Sequence, residues 1–326
     1  MLISDRIYGP QEIDEPIILE LLASPFLERL KGVDQYGHFE AFFSGTASSR
    51  YDHSLGVFFL LRRYGASLAE QVSGLVHDVS HTVFSHCIDY LDGGDQKDQS
   101  YQDTSLSTFL AQSDLPAILN KYGYALEYIL DDHNFPLKEQ SLPDLCADRI
   151  DYSLRDANKF IGLTPTEIQN ILADLSVADG RWIFKNQASA KNYAQIFFEV
   201  NQNYYCGLPS AVMLNSVGNY LNYALSKKYI RPDDLYTTDQ AVLKKINNFL
   251  AVDPALEKLF QRLDNKVSYV NNPADYDFLV FCKSRVVDPL FYDAGVVRRL
   301  SEADPVWKLT LAAERPPKKY FLKFSS

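Results

Sequence analysis

Cysteine is rare in this sequence, and its spacing shows no motif. The 326 residues include four cysteines, Cys87, Cys146, Cys206 and Cys282, and no Cys-x-x-Cys pair occurs among them. Scattered thiols of this kind argue against a disulfide framework. We therefore expect reduced cysteines that behave as small buried hydrophobes, and a cytoplasmic location.

Long apolar runs and an excess of basic residues are also missing. No stretch approaches the length of a membrane span, and the first residues lack the apolar core of a signal peptide, so we expect no membrane association. The chain has 32 Lys and Arg against 42 Asp and Glu, a net charge of −10. That balance argues against an extended nucleic-acid surface, which needs clustered cations. A small anionic substrate remains compatible, because a local group of cations can outweigh the overall charge.

Histidine is scarce too, but it is concentrated. Four of the six histidines lie between residues 50 and 86. Imidazole and carboxylate groups are both good ligands for borderline divalent cations, whereas a hydrophobic core has no use for so many of them. We therefore predict that this window forms half of a metal site. The two segments concerned are Arg50-Tyr-Asp-His53-Ser-Leu-Gly and His77-Asp78-Val-Ser-His81-Thr-Val-Phe-Ser-His86.

Hydrophobic periodicity predicts helices over most of the chain before residue 230. Residues 17–31 and 54–63 carry apolar side chains at helical spacing. A later helix places Asp148, Asp151 and Arg155 along one polar stripe, opposite an apolar stripe. Such a stripe either faces water or lines a metal or phosphate pocket.

Strand signals are fewer and lie mainly towards the end of the chain. Asp179-Gly180 predicts a hairpin, and residues 278–288 and 320–324 are β-branched and aromatic. We therefore expect a mainly α protein in two parts. A helical bundle with an N-terminal arm would cover residues 1–229, and a small α/β appendage would cover residues 230–326.

A metal held by protein side chains needs three or four ligands from different elements. His53, His77 and Asp78 supply three, and Asp148 is the natural fourth. This set leaves room for a bound water whose pKa falls towards neutrality, which makes it a hydroxide-like nucleophile. The same ligands accommodate one divalent ion, whether Mn, Fe, Ni, Zn or Mg. A core histidine and a chance His-Asp pair would explain each residue singly, but their joint occurrence favours the metal.

Three segments together carry the motifs of a known family. They are Arg50-Tyr-Asp-His53-Ser-Leu-Gly-Val, His77-Asp78-x-x-His81-x-x-Phe-Ser-His86 and Asp148-Arg149-Ile-Asp151-Tyr152-x-x-Arg155-Asp156. These motifs resemble the HD-domain phosphohydrolases, and most closely the deoxynucleoside triphosphate triphosphohydrolase branch. The stretch Arg285-Val-Val-Asp-Pro is similar to that branch as well. Specific motifs extend over residues 1–165, and the rest of the chain is similar more loosely.

The resemblance implies an all-helical HD-domain core and a role for each site residue. The metal ligands would be His53, His77, Asp78 and Asp148. Phosphate oxygens would contact Arg50 and Arg149, whose charge is fixed. His81 would donate to, or orient, the leaving phosphoryl group, and His86 would support the site. The sugar of the substrate would be held by Gln35, Tyr152 and Asp156. The family assembles into dimers or tetramers, so we expect a homo-oligomer.

Two departures from the family pattern bear on the substrate. Family members carry a His-Glu pair for acid/base chemistry, and the corresponding place here reads Gln102-Asp103, so Asp103 would act in place of the Glu with a shorter reach. The helix of residues 193–205 has Glu199, Asn201 and Asn203 where relatives place a cation for the triphosphate. Tyr36 is also bulkier than the aliphatic residue usual beside the sugar.

Three functions are compatible with these residues. The leading hypothesis is a metal-dependent nucleotide phosphohydrolase, with a deoxynucleoside triphosphate as the best substrate. A phosphomonoesterase or phosphodiesterase acting on another small phosphate ester is favoured by the missing cation. A nucleotide-binding sensor that has lost turnover is favoured by Gln102.

Overall fold

The computed structural model describes residues 1–91, 96–97, 109–110 and 113–325. Of these residues, 53% are helical and 13% lie in strands. In chain order, the α-helices are α1 (Pro16–Leu22), α2 (Pro25–Glu28), α3 (Phe39–Phe42), α4 (Arg50–Arg63), α5 (Leu68–Val76), α6 (Leu115–Lys121), α7 (Leu126–Leu130), α8 (Ala147–Phe160), α9 (Pro165–Ala173), α10 (Gln187–Val200), α11 (Leu208–Ser226), α12 (Asp239–Asn247), α13 (Pro254–Leu263), α14 (Leu300–Ala303) and α15 (Pro305–Glu314).

Short helical segments of other types complete the helical part. The 3₁₀ segments are Arg29–Gly32, Ser85–Tyr90, Asp132–Asn134 and Pro232–Tyr236, and a π-helical turn, Asn201–Tyr205, continues directly from α10. The strands are β1 (Leu2–Asp5), β2 (Gly9–Glu12), β3 (Leu175–Ala178), β4 (Arg181–Phe184), β5 (Tyr269–Asn271), β6 (Phe278–Cys282), β7 (Leu290–Asp293), β8 (Val296–Arg299) and β9 (Lys318–Phe324).

Helix α4 is the centre of the helical core, and it packs against α5 and α8. Ser49 caps its N-terminus by accepting a hydrogen bond from the Asp52 amide at 3.1 Å. Gly65 follows its C-terminus with φ +73°, a left-handed conformation that glycine adopts without strain. The run from Val57 to Leu61 is fully buried, as its continuous apolar sequence predicts for a helix covered on most sides.

The strands form three sheets within the described residues. Strands β1 and β2 make an antiparallel hairpin, and β5, β9 and β6 make an antiparallel sheet in that order. The third sheet has the order β3-β4-β7-β8, in which β4 and β7 are parallel and pair Ile183 with Leu290. The predicted hairpin at Asp179-Gly180 is confirmed, since both residues take the positive φ that a type I′ turn requires.

The prediction of a mainly α protein with an all-helical core is wrong. The chain is a mixed α/β protein that contains a helical domain. Local periodicity identified single strands but gave no signal for the parallel pairing of β4 with β7, whose residues are about a hundred positions apart. That pairing joins the two predicted parts of the chain, and the boundary at residues 229–230 stays a prediction. In the described part of the chain, no helix has the length and apolar content that crossing a membrane would take.

Asp239, the first residue of α12, ties together two loops that surround the site described below. Its Oδ1 accepts a hydrogen bond from the Phe84 amide and its Oδ2 accepts one from the Asp34 amide, both at 2.8 Å. The carboxylate is buried, at 8% exposure. One side chain thus satisfies two buried backbone donors from distant segments.

We expect Asp239→Asn to destabilise the fold, because an amide has one acceptor oxygen and would leave one of these two N–H groups unsatisfied. The cost of such a group is about 1–3 kcal/mol. Urea unfolding of Asp239→Asn and of Asp233→Asn, an exposed control, checks this. Equal free energies of unfolding for the two variants would contradict the assignment.

Candidate metal centre and substrate cleft

Three helices bring the four predicted metal ligands together. His53 lies on α4, His77 and Asp78 follow directly after α5, and Asp148 is in the first turn of α8. Ligand atoms of His53, His77 and Asp78 all lie within 4.8 Å of one another. Asp148 Oδ1 is 2.8 Å from His53 Nε2 and 3.6 Å from His77 Nε2. The four side chains therefore converge on one place.

The donor atoms fit a divalent cation. His77 Nδ1 lies 2.8 Å from the Gly74 carbonyl oxygen, which can only accept, so Nδ1 carries the proton and Nε2 keeps its lone pair. That buried Nε2 has no hydrogen-bond partner among the described residues. A bare imidazole nitrogen beside ionised carboxylates is the arrangement found in sites for borderline metals, with the second ring nitrogen fixed by a carbonyl.

Electrostatics also favour a cation at this place. Burial opposes a charge on His53, but the hydrogen bonds that its ring donates to Asp148 and Asp151 outweigh burial and raise the pKa of His53 to about 10. Burial likewise opposes ionisation of Asp78, yet the positive charge of Arg50, which donates a hydrogen bond to it, holds the pKa of Asp78 well below the ordinary value. The carboxylates thus stay ionised, and positive charge among them is stabilised.

A buried chain of polar contacts supports His53 from behind. His53 Nδ1 lies 2.8 Å from Asp151 Oδ2, which accepts a hydrogen bond from Arg155 Nε at 2.8 Å. Arg155 Nη2 then donates to Asp5 Oδ2, in β1, at 2.7 Å. Because an ionised carboxylate can only accept, Nδ1 carries the proton and His53 Nε2 faces the cluster. Sequence reasoning missed Asp5, and only the i, i+4 spacing of Asp151 and Arg155 hinted at this chain.

Gly56 makes room for this chain of contacts. A Cβ atom at Gly56 would lie 2.0 Å from Asp151 Oδ1 and 2.2 Å from Arg155 Nη2. Gly56, three residues after His53, is therefore required for steric reasons, because a larger residue would prevent α4 from approaching α8 so closely.

Arg50 and a strained turn hold the opposite side of the cluster. Arg50 Nη1 donates to Asp78 Oδ2 at 2.7 Å, Nε donates to Ser85 Oγ at 2.8 Å and Nη2 donates to the Gln35 carbonyl at 2.9 Å. Phe84 and Ser85 both adopt left-handed conformations, with φ of 55° and 47°. Non-glycine residues in this region store about 1–3 kcal/mol of strain each, and such strain clusters at functional sites.

Three of the four predicted ligands, His77, Asp78 and Asp148, line a cleft of about 610 Å³. Its walls carry both signs of charge, and its basic lining residues are Arg50, Lys138, Arg149, Lys283 and Arg285. A second cavity of about 70 Å³ adjoins it and is largely aromatic, with Tyr36, Tyr152, Tyr204 and Tyr205 in its lining. Both share Gln35, Arg50, His86, Tyr152 and Arg285 as lining residues, so the two cavities form one continuous site.

The predicted sugar-binding residues do not all line this site. Gln35 and Tyr152 do, but Asp156 is only 1% exposed, and its Oδ2 accepts hydrogen bonds from the hydroxyls of both Tyr36 and Tyr205. These two tyrosines line the small cavity, so they separate Asp156 from it. Burial raises the pKa of Asp156 to about 7, although the two hydroxyls act to lower it.

The remaining predicted residues take several positions. His81 and His86 pack edge to face at 5.3 Å between ring centroids, and both line the cleft. Arg149 also lines it, and its Nη1 donates to the Asp144 carbonyl at 2.6 Å. Gln102 and Asp103 lie outside the described residues, so the role given to Asp103 stays a prediction.

Similarity to known proteins identifies the family. The model of the HD domain matches residues 50–156, the segment that contains all four converging side chains. The uncharacterized protein YdhJ of Bacillus subtilis is 32% identical over 321 residues, which cover 98% of this chain and 97% of that protein. The metal-dependent phosphohydrolase cns2 of Cordyceps militaris is 39% identical over 175 residues, covering 54% of this chain and 50% of cns2. The chain belongs to the HD-domain phosphohydrolases.

This HD-domain phosphohydrolase is also related to the branch predicted from its motifs. The deoxynucleoside triphosphate triphosphohydrolase SAMHD1 of Bos taurus is 32% identical over 103 residues, which cover 27% of this chain and 17% of that protein. The predicted enzyme class, a hydrolase acting on phosphoric ester bonds, is confirmed. HD domains bind divalent metal, and the cluster formed at α4, after α5 and at α8 contains side chains that could hold one.

We expect Gly56→Ala to destabilise this HD-domain phosphohydrolase, because the added methyl would displace the Asp151–Arg155 pair. Overpacking of this kind costs about 1–3 kcal/mol. Asp52→Ala, at an exposed position of the same helix, is the matched control and should change stability by less than about 0.5 kcal/mol. The check is the free energy of urea unfolding, and a Gly56→Ala protein as stable as the control would refute the close approach.

The raised pKa of Asp156 has a consequence for stability. A carboxyl with a pKa of about 7 in the folded protein, against an ordinary value of 3.8, adds stability that is fully present below pH 3.8 and is lost as the pH rises through 7. The side chain of Asp156→Asn does not titrate, so the variant does not lose stability in this way. Its free energy of unfolding, relative to that of the original protein, should therefore rise by on the order of 4 kcal/mol between pH 3.8 and pH 7. Urea unfolding at several pH values tests this, and parallel pH profiles would contradict it.

Proposed function

We propose that this phosphohydrolase uses a divalent metal to hydrolyse nucleotides, and that a deoxynucleoside triphosphate is its best substrate. The observation that carries the proposal is the convergence of His53, His77, Asp78 and Asp148 at the wall of a cleft lined by five basic side chains. Phosphoryl transfer needs mainly positioning and charge stabilisation, and this site supplies both. The similarity to SAMHD1 supports the choice of substrate.

Each residue of the site has a task that follows from its contacts. The four ligands would hold the metal, which when bound lowers the pKa of a water and polarises the phosphate. Arg50 neutralises Asp78 and fixes the turn at Ser85, while its fixed charge faces the cleft. Arg149 is held by backbone carbonyls and adds a second fixed charge.

His81 orients groups rather than protonating them in this arrangement. Its Nε2 lies 3.2 Å from Asp78 Oδ1, an ionised oxygen that can only accept, so the proton is on Nε2. Burial and the charge of Arg50 lower the pKa of His81 to about 3, and the ring is therefore neutral near pH 7. Its Nδ1, which has no partner among the described residues, keeps a lone pair for a hydrogen bond.

The aromatic cavity supports a nucleoside rather than a simple phosphate ester. Tyr36 and Tyr205 stack at 6.0 Å between ring centroids, and Tyr152 meets Tyr205 edge to face at 5.6 Å. Gln35 presents a buried side-chain oxygen that has no partner in the described part of the chain. Aromatic faces with a nearby polar group are suited to a base or sugar.

A phosphomonoesterase or phosphodiesterase is the second candidate, and one observation favours it. Asp156 is covered by Tyr36 and Tyr205, so it does not present its carboxylate to a sugar hydroxyl. The predicted homo-oligomer and the cytoplasmic location stay predictions.

A panel of nucleotides tests these functions. Deoxynucleoside and ribonucleoside mono-, di- and triphosphates are incubated with the full chain and either Mn²⁺ or Mg²⁺. Release of inorganic triphosphate supports the main proposal, and release of orthophosphate alone supports a phosphomonoesterase. Binding of a nucleotide without turnover indicates the sensor.

The metal ligand Asp78 provides the control. We expect Asp78→Ala to lose bound metal and hydrolysis together, because it removes a carboxylate that no neighbouring group replaces. Asp14→Ala, whose side chain is 85% exposed, should keep both. Metal content by elemental analysis and product release are measured for each variant. Hydrolysis retained by Asp78→Ala would refute the proposed site.

A further inference from the structure

Arg285 occupies the place where the cleft and the small cavity meet. It lines both of them, although it lies far along the chain from the metal ligands. The residue belongs to the segment of residues 283–289 that connects β6 to β7. A substrate with its phosphate at the ligands and its nucleoside in the aromatic cavity would pass this side chain.

Asn201 holds the segment that carries Arg285. Its Oδ1 accepts a hydrogen bond from the Arg285 amide at 2.8 Å, and its Nδ2 donates to Ser284 Oγ at 3.1 Å. Asn201 is fully buried and begins the π-helical turn. Both flanking residues, Ser284 and Val286, are buried as well, so the backbone at Arg285 has a fixed position.

Near Asn201, the positive charge that lines the site comes from the neighbouring segment, through Arg285. Asn201 and Asn203 are neutral, so neither supplies charge to the site, and the side chain of Asn203 donates to the Glu199 carbonyl at 3.0 Å. The positively charged side chain of Arg285 lines both cavities. After burial, which is the main cause, the charges of Arg50 and Arg285 contribute to lowering the pKa of His86, a lining residue of both cavities.

We propose that Arg285 binds a phosphate group of the substrate and that Asn201 is the positioning residue that places it there. This inference rests on the proposed function, since it concerns the same site. A guanidinium group suits the task because its planar fork matches two phosphate oxygens and its charge is permanent. Lys283, which also lines the cleft, adds a second positive charge beside it.

Inorganic tripolyphosphate is the probe, because it has the charge and geometry of the substrate without the nucleoside. Its dissociation constant is measured by calorimetry on the full chain loaded with Mn²⁺. We expect Arg285→Gln to weaken binding at least about tenfold, the loss typical of a charge-assisted hydrogen bond. Arg285→Lys should bind with intermediate affinity, because a lysine keeps the charge but loses the fork.

Arg298→Gln is the matched control. Arg298 also lies in the C-terminal part of the chain, but it pairs with Asp293 at 2.8 Å on the surface, so its loss should leave tripolyphosphate binding unchanged. Bound metal and thermal stability are measured for every variant. Arg285→Gln with normal metal content but the affinity of the original protein would overturn the proposal, as would a metal-loaded original protein that does not bind tripolyphosphate.

A double substitution tests the role of Asn201. Asn201→Ala alone should weaken tripolyphosphate binding, because the Arg285 segment loses both of the hydrogen bonds that it makes with Asn201. In the Arg285→Gln background, Asn201→Ala should weaken it little further, since a positioning residue acts through the group it positions. Full additivity of the two losses would show that Asn201 does not act through Arg285.

Failure of the inference and failure of the proposed function give different results. If no nucleotide is hydrolysed but tripolyphosphate binding depends on Arg285, the inference holds and the enzymatic proposal fails. If nucleotides are hydrolysed and the KM of Arg285→Gln equals that of the original protein, the function holds and the inference fails. A raised KM with unchanged metal content supports both.

Discussion

The compensation of buried negative charge around His53 determines how this site is built. Asp78, Asp148 and Asp151 all lie against the histidines, and an ionised carboxylate out of water is costly unless cations and hydrogen bonds compensate it. Arg50 pairs with Asp78, and Arg155 pairs with Asp151. Among the described residues, Asp148 has imidazole partners instead of a fixed positive charge. A divalent cation would balance this arrangement.

The same compensation connects the site to the N-terminal hairpin. The buried charge of Asp151 is compensated by Arg155. Because Arg155 is buried as well, it also pairs with a second carboxylate, that of Asp5. Asp5 also accepts hydrogen bonds from the amides of Ile7 and Tyr8, which fixes the turn between β1 and β2. The hairpin is therefore a part of the support of the metal centre rather than a separate arm.

Sequence reasoning found the residues whose chemistry is local and recognisable. The concentration of histidines and the polar stripe containing Asp148 predicted four side chains that the structure brings together. Short motifs of metal-ligating residues can be recognised in a sequence without knowledge of distant contacts. The Asp179-Gly180 turn was predicted correctly for the same reason, since its signal is local. What sequence could not give were contacts between distant segments, such as the pairing of β4 with β7. Nothing local in the sequence around Asp5 or Arg285 indicates which distant group each will meet.

The covering of Asp156 shows how one irregular turn changes the substrate side of the site. A π-helical turn inserts an extra residue relative to an α-helix, so side chains after it point in a rotated direction. In this chain the turn starts at Asn201, which faces the Arg285 segment, and ends at Tyr205, which reaches Asp156. Tyr36 approaches the same oxygen from the other side. Two of the predicted ligands, His53 and Asp148, come from regular helices, whereas Tyr36 and Tyr205 of the small cavity come from irregular segments. Sequence similarity along α4 and α8 therefore supports the chemistry more strongly than it supports the choice of substrate.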